Sequence, residues 1–373
     1  GTGNTTVTGS IATTGGAALS KDGSGTLRLS GNNSFSGDTT IHAGTLQVTS
    51  TGRFGGGNYS GNIANSGAFI FGSNSSQTLS GIISGTGSLT KNGSGILSLS
   101  GNNSNTGSII VQAGTMTLEH ANALGIGGNI SFTGGGVQYG TGVTTDLSSR
   151  IKNSTGAILI DTNGNNITFA SVLDSTNTLG LTKNGTGTLI LSGSNSYSGG
   201  TTVNAGTLTL SGANTGGGAV MVDGGTMNIQ GNLTLGSGQF TVGNAGAGVV
   251  NHSAGTVSIT SGNGLIVGNG ATSSSNGTYN LSGGVLNIAP GANRGITLAW
   301  GSNSRGNFNM SGGTLVNSGT LQIGQTTDSD TVGQLPVYNQ TGGDATHGTL
   351  TMGGSGTYKV HTLYTIFNHV FDS

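Results

Sequence analysis

Short runs in which apolar and polar residues alternate recur along the whole chain, and glycine-rich turns separate them. In residues 181–210, Thr188-Leu189-Ile190-Leu191-Ser192 is one run, Thr201-Thr202-Val203 a second and Thr207-Leu208-Thr209-Leu210 a third. A period of two over such stretches predicts β-strand. The connecting SGSNSYSGG and NAGT pieces are rich in residues that accept positive φ or build Asx turns. The same pattern stands at residues 19–48 and 89–118, and the three copies align without a gap over 30 residues. Repetition this strict predicts a solenoid. Three short strands per copy read as one coil, so the expected fold is all-β: a right-handed, three-sided parallel β-helix (β-solenoid). At ~29 residues per coil the chain makes roughly 13 rungs and about 60 Å of rod.

Stacking explains the rest of the pattern. A single rung cannot bury its inward Leu, Val and Ile alone, but a stack of rungs ~4.8 Å apart makes a continuous narrow core. Equivalent residues then lie directly above one another. Like charges repel at that spacing, whereas Asn, Ser and Thr can form hydrogen-bonded ladders. Residues 1–248 form the expected first solenoid segment. Residues 249–356 continue it in another style, with Tyr279-Asn280-Leu281-Ser282-Gly283-Gly284, Phe308-Asn309-Met310-Ser311-Gly312-Gly313 and Tyr338-Asn339-Gln340-Thr341-Gly342-Gly343. The recurring aromatic is expected to stack on its equivalents as an internal ladder. Residues 119–124 (EHANAL) read as a corner or short insertion, and residues 146–170 as a bulge from the rod. Residues 357–373 form an aromatic tail without glycine, expected to cap the last rung or connect subunits through Tyr358, Val360, Tyr364, Ile366, Phe367 and Phe371.

Composition narrows the function. Gly accounts for 77 of 373 residues, there are 10 Lys and Arg against 11 Asp and Glu, and the net charge is −1. Disorder by self-repulsion is excluded by that low charge and by the regular apolar spacing. No cysteine is present, so disulfides do not stabilise the chain. The basic residues are scattered, which leaves nucleic-acid binding without a footprint. No apolar run is long enough to span a bilayer, and membrane insertion is not expected. Residues 1–10 show no signal peptide; one could have been removed.

Candidate chemistry is thin. Asp328 and Asp330 are the one close acid pair, in TTDSDT; they suit Ca²⁺ binding or acid–base work, or a solvated turn, and the turn is favoured. His42, His120, His252, His347, His361 and His369 lack metal-ligand spacing and are expected at surfaces or interfaces. Lys21, Lys91 and Lys183 share one repeat position and read as a solvated corner. No catalytic, metal or cofactor site is expected.

The unit resembles the passenger-associated repeat of Gram-negative autotransporters, the autotransporter-associated β-strand repeat. LTKNGTGTLILSG at 181–193, Asn195-Ser196-Tyr197-Ser198-Gly199-Gly200-Thr201-Thr202-Val203 and Asn204-Ala205-Gly206-Thr207-Leu208 carry the match. The earlier copies agree, except that Asn105 replaces the aromatic. His120-Ala121-Asn122-Ala123-Leu124-Gly125 resembles the segment that follows such units. The resemblance implies a secreted right-handed β-helix on or outside a Gram-negative-type cell. It implies no particular activity. The family's translocating barrel is not represented, so either it was cleaved away or the chain is exported by another route.

Three functions are therefore weighed. The first is a non-enzymatic structural protein that self-associates end to end into a fibre or layer. The second is a monomeric adhesin-like passenger that binds a surface glycan or a host protein. The third, which the scarcity of acids makes least favoured, is a polysaccharide-active enzyme.

Overall fold

A computed structural model describes residues 2–13, 16–270, 275–289, 295–300, 304–324, 336–352 and 357–360. The fold is all-β, as the alternation requires. Among the described residues the only helical turns are 3₁₀, at Gly55–Gly57 and Ser148–Arg150. The chain divides into two compact units, Gly1–Ile167 with Thr176–Leu179, and Thr168–Ser175 with Gly180–Ser373. Each is a parallel β-solenoid.

In the first unit one ladder runs through Thr5–Val7, Thr26–Leu29, Thr45–Ser50, Ala68–Ser73, Ser88–Lys91, Ile109–Val111 and Ile130–Phe132, every pair parallel. Its register sets Leu46, Phe69, Leu89, Ile109 and Ile130 in one buried column. Two further ladders complete the coils: Leu19–Lys21 to Ile83–Ser84, and Asn58–Tyr59 to Ile158–Asp161. The second unit has an eight-strand ladder from Thr188–Leu191 to Thr357–Val360. Leu189, Leu208, Met227, Val250, Tyr279, Phe308 and Tyr338 form its buried column.

The length of a coil differs from the expectation in the strict repeats. Within residues 181–210, Leu181 pairs with Thr201 and Leu189 with Leu208. One copy therefore folds back onto itself and spans about one and a half coils, with equivalent positions such as Asn195 and Asn214 only 19 residues apart. The reason is that the two halves mimic each other: LTKNGTGTLIL stacks on TTVNAGTLTL, with one residue fewer in the turn. Stacking needs a matching burial pattern and not a matching sequence. Later the coil does lengthen, and Asn251, Asn280 and Asn309 follow at 29 residues.

Two local expectations fare differently. His120–Leu124 is a corner, closed by bonds from the Ala123 amide to His120 O (3.0 Å) and the Gly125 amide to Asn122 O (2.8 Å). The bulge expected at residues 146–170 is not one. Ile158–Asp161 pairs in register with Gly136–Tyr139, and Leu147, Ile151, Ile158 and Ile160 are buried. Its irregular sequence is a corner held by Arg150, described below.

Candidate functional surface

No group of three or more His, Asp or Glu side chains comes together among the described residues. Asp328, Asp330, His361, His369, Tyr364, Ile366, Phe367 and Phe371 lie outside the described residues. Tyr358 and Val360 belong to the strand Thr357–Val360, which pairs with Val337–Gln340. A recess beside Asn195, Tyr197, Asn214 and Leu233 has about 10 Å³, at the limit for one water. A depression lined by Thr5, Ser20, Lys21, Asp22 and Leu27 has about 260 Å³ and is shallow. Neither resembles a small-molecule site.

The repeat-position lysines are not at a solvated corner. Lys21 is 6 % exposed, and Lys91 and Lys183 are fully buried. Period-two geometry explains it: Lys183 lies two residues after Leu181 and so shares its inward face. An ammonium has three donors and no acceptor. Lys183 Nζ donates to Asn184 O (2.9 Å), Gly185 O (2.8 Å) and Ala205 O (3.2 Å). Lys21 Nζ repeats this with Asp22 O (2.9 Å), Gly23 O (2.6 Å) and Ala43 O (3.1 Å). Lys91 Nζ donates to Gly93 O and, at 3.0 Å, to Ala113 O, and lies 5.7 Å from the centroid of the Phe71 ring. Burial pulls the Lys91 ammonium down to about 8. Each lysine thus ties the turn after its own strand to the HAG (42–44), QAG (112–114) or NAG (204–206) turn of the next coil. That second turn needs glycine: Gly206 has φ +65°, and a Cβ there would meet Lys183 Nζ at 2.9 Å.

Arg150 follows the same rule. Its guanidinium donates to Gly125 O (3.0 Å), Gly128 O (2.9 Å), Leu124 O (2.9 Å) and Gly127 O, closing the corner after His120–Leu124. Desolvation lowers its pKa. Buried asparagines mark another corner. Asn103 Oδ1 accepts the Ile83 amide (2.7 Å) while its Nδ2 donates to Ala123 O (2.6 Å), and Asn33 repeats the arrangement; Asn195 Oδ1 likewise accepts the Leu173 amide, but its Nδ2 donates to Asn214 Oδ1 (3.1 Å) and Gly193 O (2.9 Å).

Two of the histidines also depart from expectation, and one agrees with it. His42 is exposed and contacts Asp22 at 2.8 Å. His252 and His347, expected at surfaces or interfaces, are buried. The aromatic column causes this, because a buried tyrosine hydroxyl needs a partner. Tyr279 and Phe308 stack at 5.4 Å and 6°, and Phe308 and Tyr338 at 5.3 Å and 4°. His252 Nε2 lies 3.2 Å from Gly255 O and Nδ1 lies 3.0 Å from the Tyr279 hydroxyl. A carbonyl can only accept, so Nε2 carries the proton and Nδ1 accepts from Tyr279. Burial lowers the His252 pKa. His347 Nε2 lies 3.3 Å from the Tyr338 hydroxyl.

The remaining candidate is a surface. On the outer side of the long ladder in the second unit, two columns run strand by strand. One is Thr188, Thr207, Thr226, Val249, Thr278, Asn307 and Val337; the other is Ile190, Thr209, Asn228, Asn251, Asn280, Asn309 and Asn339. Over these seven strands all are half-buried and uncharged; Asn339 pairs in turn with Lys359 on the eighth, and Arg305 stands beside Asn307 on the same side of its strand. Asn251 Nδ2 donates to Asn228 Oδ1 (3.0 Å), Asn280 to Asn251 (2.9 Å) and Asn309 to Asn280 (2.9 Å). The hydrogen-bonded ladder expected from the low charge is therefore present.

Comparison with known proteins adds the family. Passenger-associated-transport-repeats match residues 19–48, 89–118, 181–210, 205–229 and 297–323. The last two were legible in the sequence only as a loose likeness. The Adhesin BmaC autotransporter of Brucella suis biovar 1 (strain 1330) is 33 % identical over 252 residues, 55 % of this chain. The match spans 7 % of that protein's length. No solved structure matches the chain. The chain thus carries passenger-associated-transport-repeats, stacked as the ladders require, and is similar over part of its length to an autotransporter adhesin.

Proposed function

We propose that the chain is a non-enzymatic, adhesin-like passenger segment on the surface of a Gram-negative-type bacterium. Its coil is taken to be right-handed and three-sided. The observation that carries the reading is the similarity to an adhesin autotransporter. The interior chemistry fits it: buried Lys, His and Asn, and the half-buried Arg150, are engaged with backbone groups and a tyrosine hydroxyl, as structural groups are. Partners are surface glycans or host protein, with no nucleic acid and no membrane insertion. Beads coated with the purified chain should adhere to a cell or matrix surface on which bare beads do not. Absence of adhesion to every surface tried would remove this reading.

End-to-end self-association into a fibre or layer is the second reading. One feature favours it: Thr357–Val360 extends the long ladder, and a strand edge recruits another strand by backbone pairing. Tyr358, Val360, Tyr364, Ile366, Phe367 and Phe371 are the connector in this reading. Negative-stain microscopy separates the two, because deleting residues 357–373 should turn fibres into single particles.

A further inference from the structure

We propose that the outer face of the long ladder in the second unit is a docking surface for an extended, uncharged polysaccharide. The inference rests on the adhesin-like reading and names the class of partner.

The face is built to be regular. Beneath it the rings of Tyr279, Phe308 and Tyr338 stack strand by strand, with centroids 5.3–5.4 Å apart. Above it the asparagine amides are already ordered by one another. A primary amide has two N–H donors and two acceptor lone pairs. Asn251 and Asn280 each give one N–H and accept one within the column, which leaves a donor and an acceptor per rung for an outside partner. The threonine column beside it, from Thr188 to Thr278, adds a hydroxyl on four of its first five strands.

The chemistry of the face selects its occupant. A nucleic acid or an anionic polymer needs a run of cations to replace its counterions, and among the described residues of the eight strands the face has only Arg305 beside the columns and Lys359 at the last register position. A protein partner needs buried aromatic or arginine anchors, and the columns offer none. A small ligand needs a concave site, and the face is a flat sheet. A neutral, hydroxyl-rich chain matches an uncharged array of amides and hydroxyls, and its sugars can meet successive rungs one after another. Each hydrogen bond exchanged with water contributes little, so attraction accumulates only along a long polymer. Because the side chains are already held in place, little ordering is lost on binding.

The experiment is co-sedimentation of the intact chain with insoluble cellulose, chitin and β-1,3-glucan, with heparin–agarose as the charged comparison. The expected result is retention on at least one uncharged polymer, insensitive to salt, competed better by long soluble oligosaccharides than by short ones. Asn280→Ala with Asn309→Ala should lower the bound fraction about tenfold. Thr226→Val with Thr278→Val keeps strand propensity and volume, and should also weaken retention if the asparagine variant proves unstable. Retention on none of the uncharged polymers overturns the inference, as does retention released by salt or unchanged in both folded variants. Bead adhesion that survives enzymatic removal of surface glycans overturns it too, and leaves the adhesin-like reading standing.

Discussion

The strict repeats and the aromatic repeats stack their coils with different side chains. In residues 181–210 the coil is short, the column is aliphatic, and a buried lysine ties one turn to the next through backbone carbonyls. In residues 247–340 the coil is longer, the column is Tyr279, Phe308 and Tyr338, and His252 satisfies a tyrosine hydroxyl. The outer faces differ as well. In the first unit the outer column reads Arg28, Gln47, Ile70, Thr90, Ile110 and Ser131, with no common chemistry. In the second it is asparagine on five consecutive strands. The lesson is that the strict repeat serves the interior, where a turn needs a donor, whereas the looser repeat serves the surface, where a uniform column arises without a uniform core.

Four tests probe that contrast, from the largest effect downwards. Phe308→Ala removes the middle ring of the stack and should cost about 4 kcal/mol, read as a loss of amide protection from residue 276 to 340. Lys183→Met leaves the carbonyls of Asn184, Gly185 and Ala205 short of a buried donor, and should cost about 2–3 kcal/mol locally. Protection in the aromatic repeats should be unaffected by that change, because distant coils are coupled weakly.

Acidity gives the third test. His252 is held neutral by burial, so its folded pKa lies below the unfolded 6.5. The unfolded chain then binds more protons as pH falls below 6.5, and stability is lost on acidification. Lys91, lowered from 10.5 to about 8, has the same sign in another window. Between pH 8 and 10.5 the unfolded chain holds the extra proton, so stability rises with pH. His252→Gln should flatten the acid limb and Lys91→Met the alkaline one, in denaturation midpoints taken across each window. The smallest effect belongs to Asn280→Ala, which removes two rungs of the amide ladder at a half-exposed position and should cost about 1 kcal/mol.

Much of this was legible in the sequence. Alternation in Thr188–Leu191 and its equivalents fixed strand type, and the recurrence of Tyr279, Phe308 and Tyr338 fixed the internal stack. Lys183 was readable too, because two residues from a core leucine is the inward face of a strand, but a charge draws the eye to solvent. One of the three carbonyls that accept from it, Ala205 O, comes from a turn 22 residues away, a distance the sequence does not announce. The coil length was misread for a related reason. The exact period of 30 reports how the sequence recurs, while the stacking follows the shorter 19–20-residue offset concealed in LTKNGTGTLIL and TTVNAGTLTL. His252 could not be placed from composition, since its burial depends on a tyrosine in the following coil. The asparagine face needed the register itself to align its columns.

The most direct test of the self-stacked repeat uses the absence of cysteine from the chain. Thr182 and Thr202 are register partners on adjacent parallel strands, close enough for a disulfide. Thr182→Cys with Thr202→Cys should form an intramolecular disulfide on mild oxidation, as should the 29-residue pair Thr278→Cys with Asn307→Cys. A disulfide in the second pair but none in the first would contradict the account, since it would mean that each 30-residue copy makes one coil and stacks only on its neighbours.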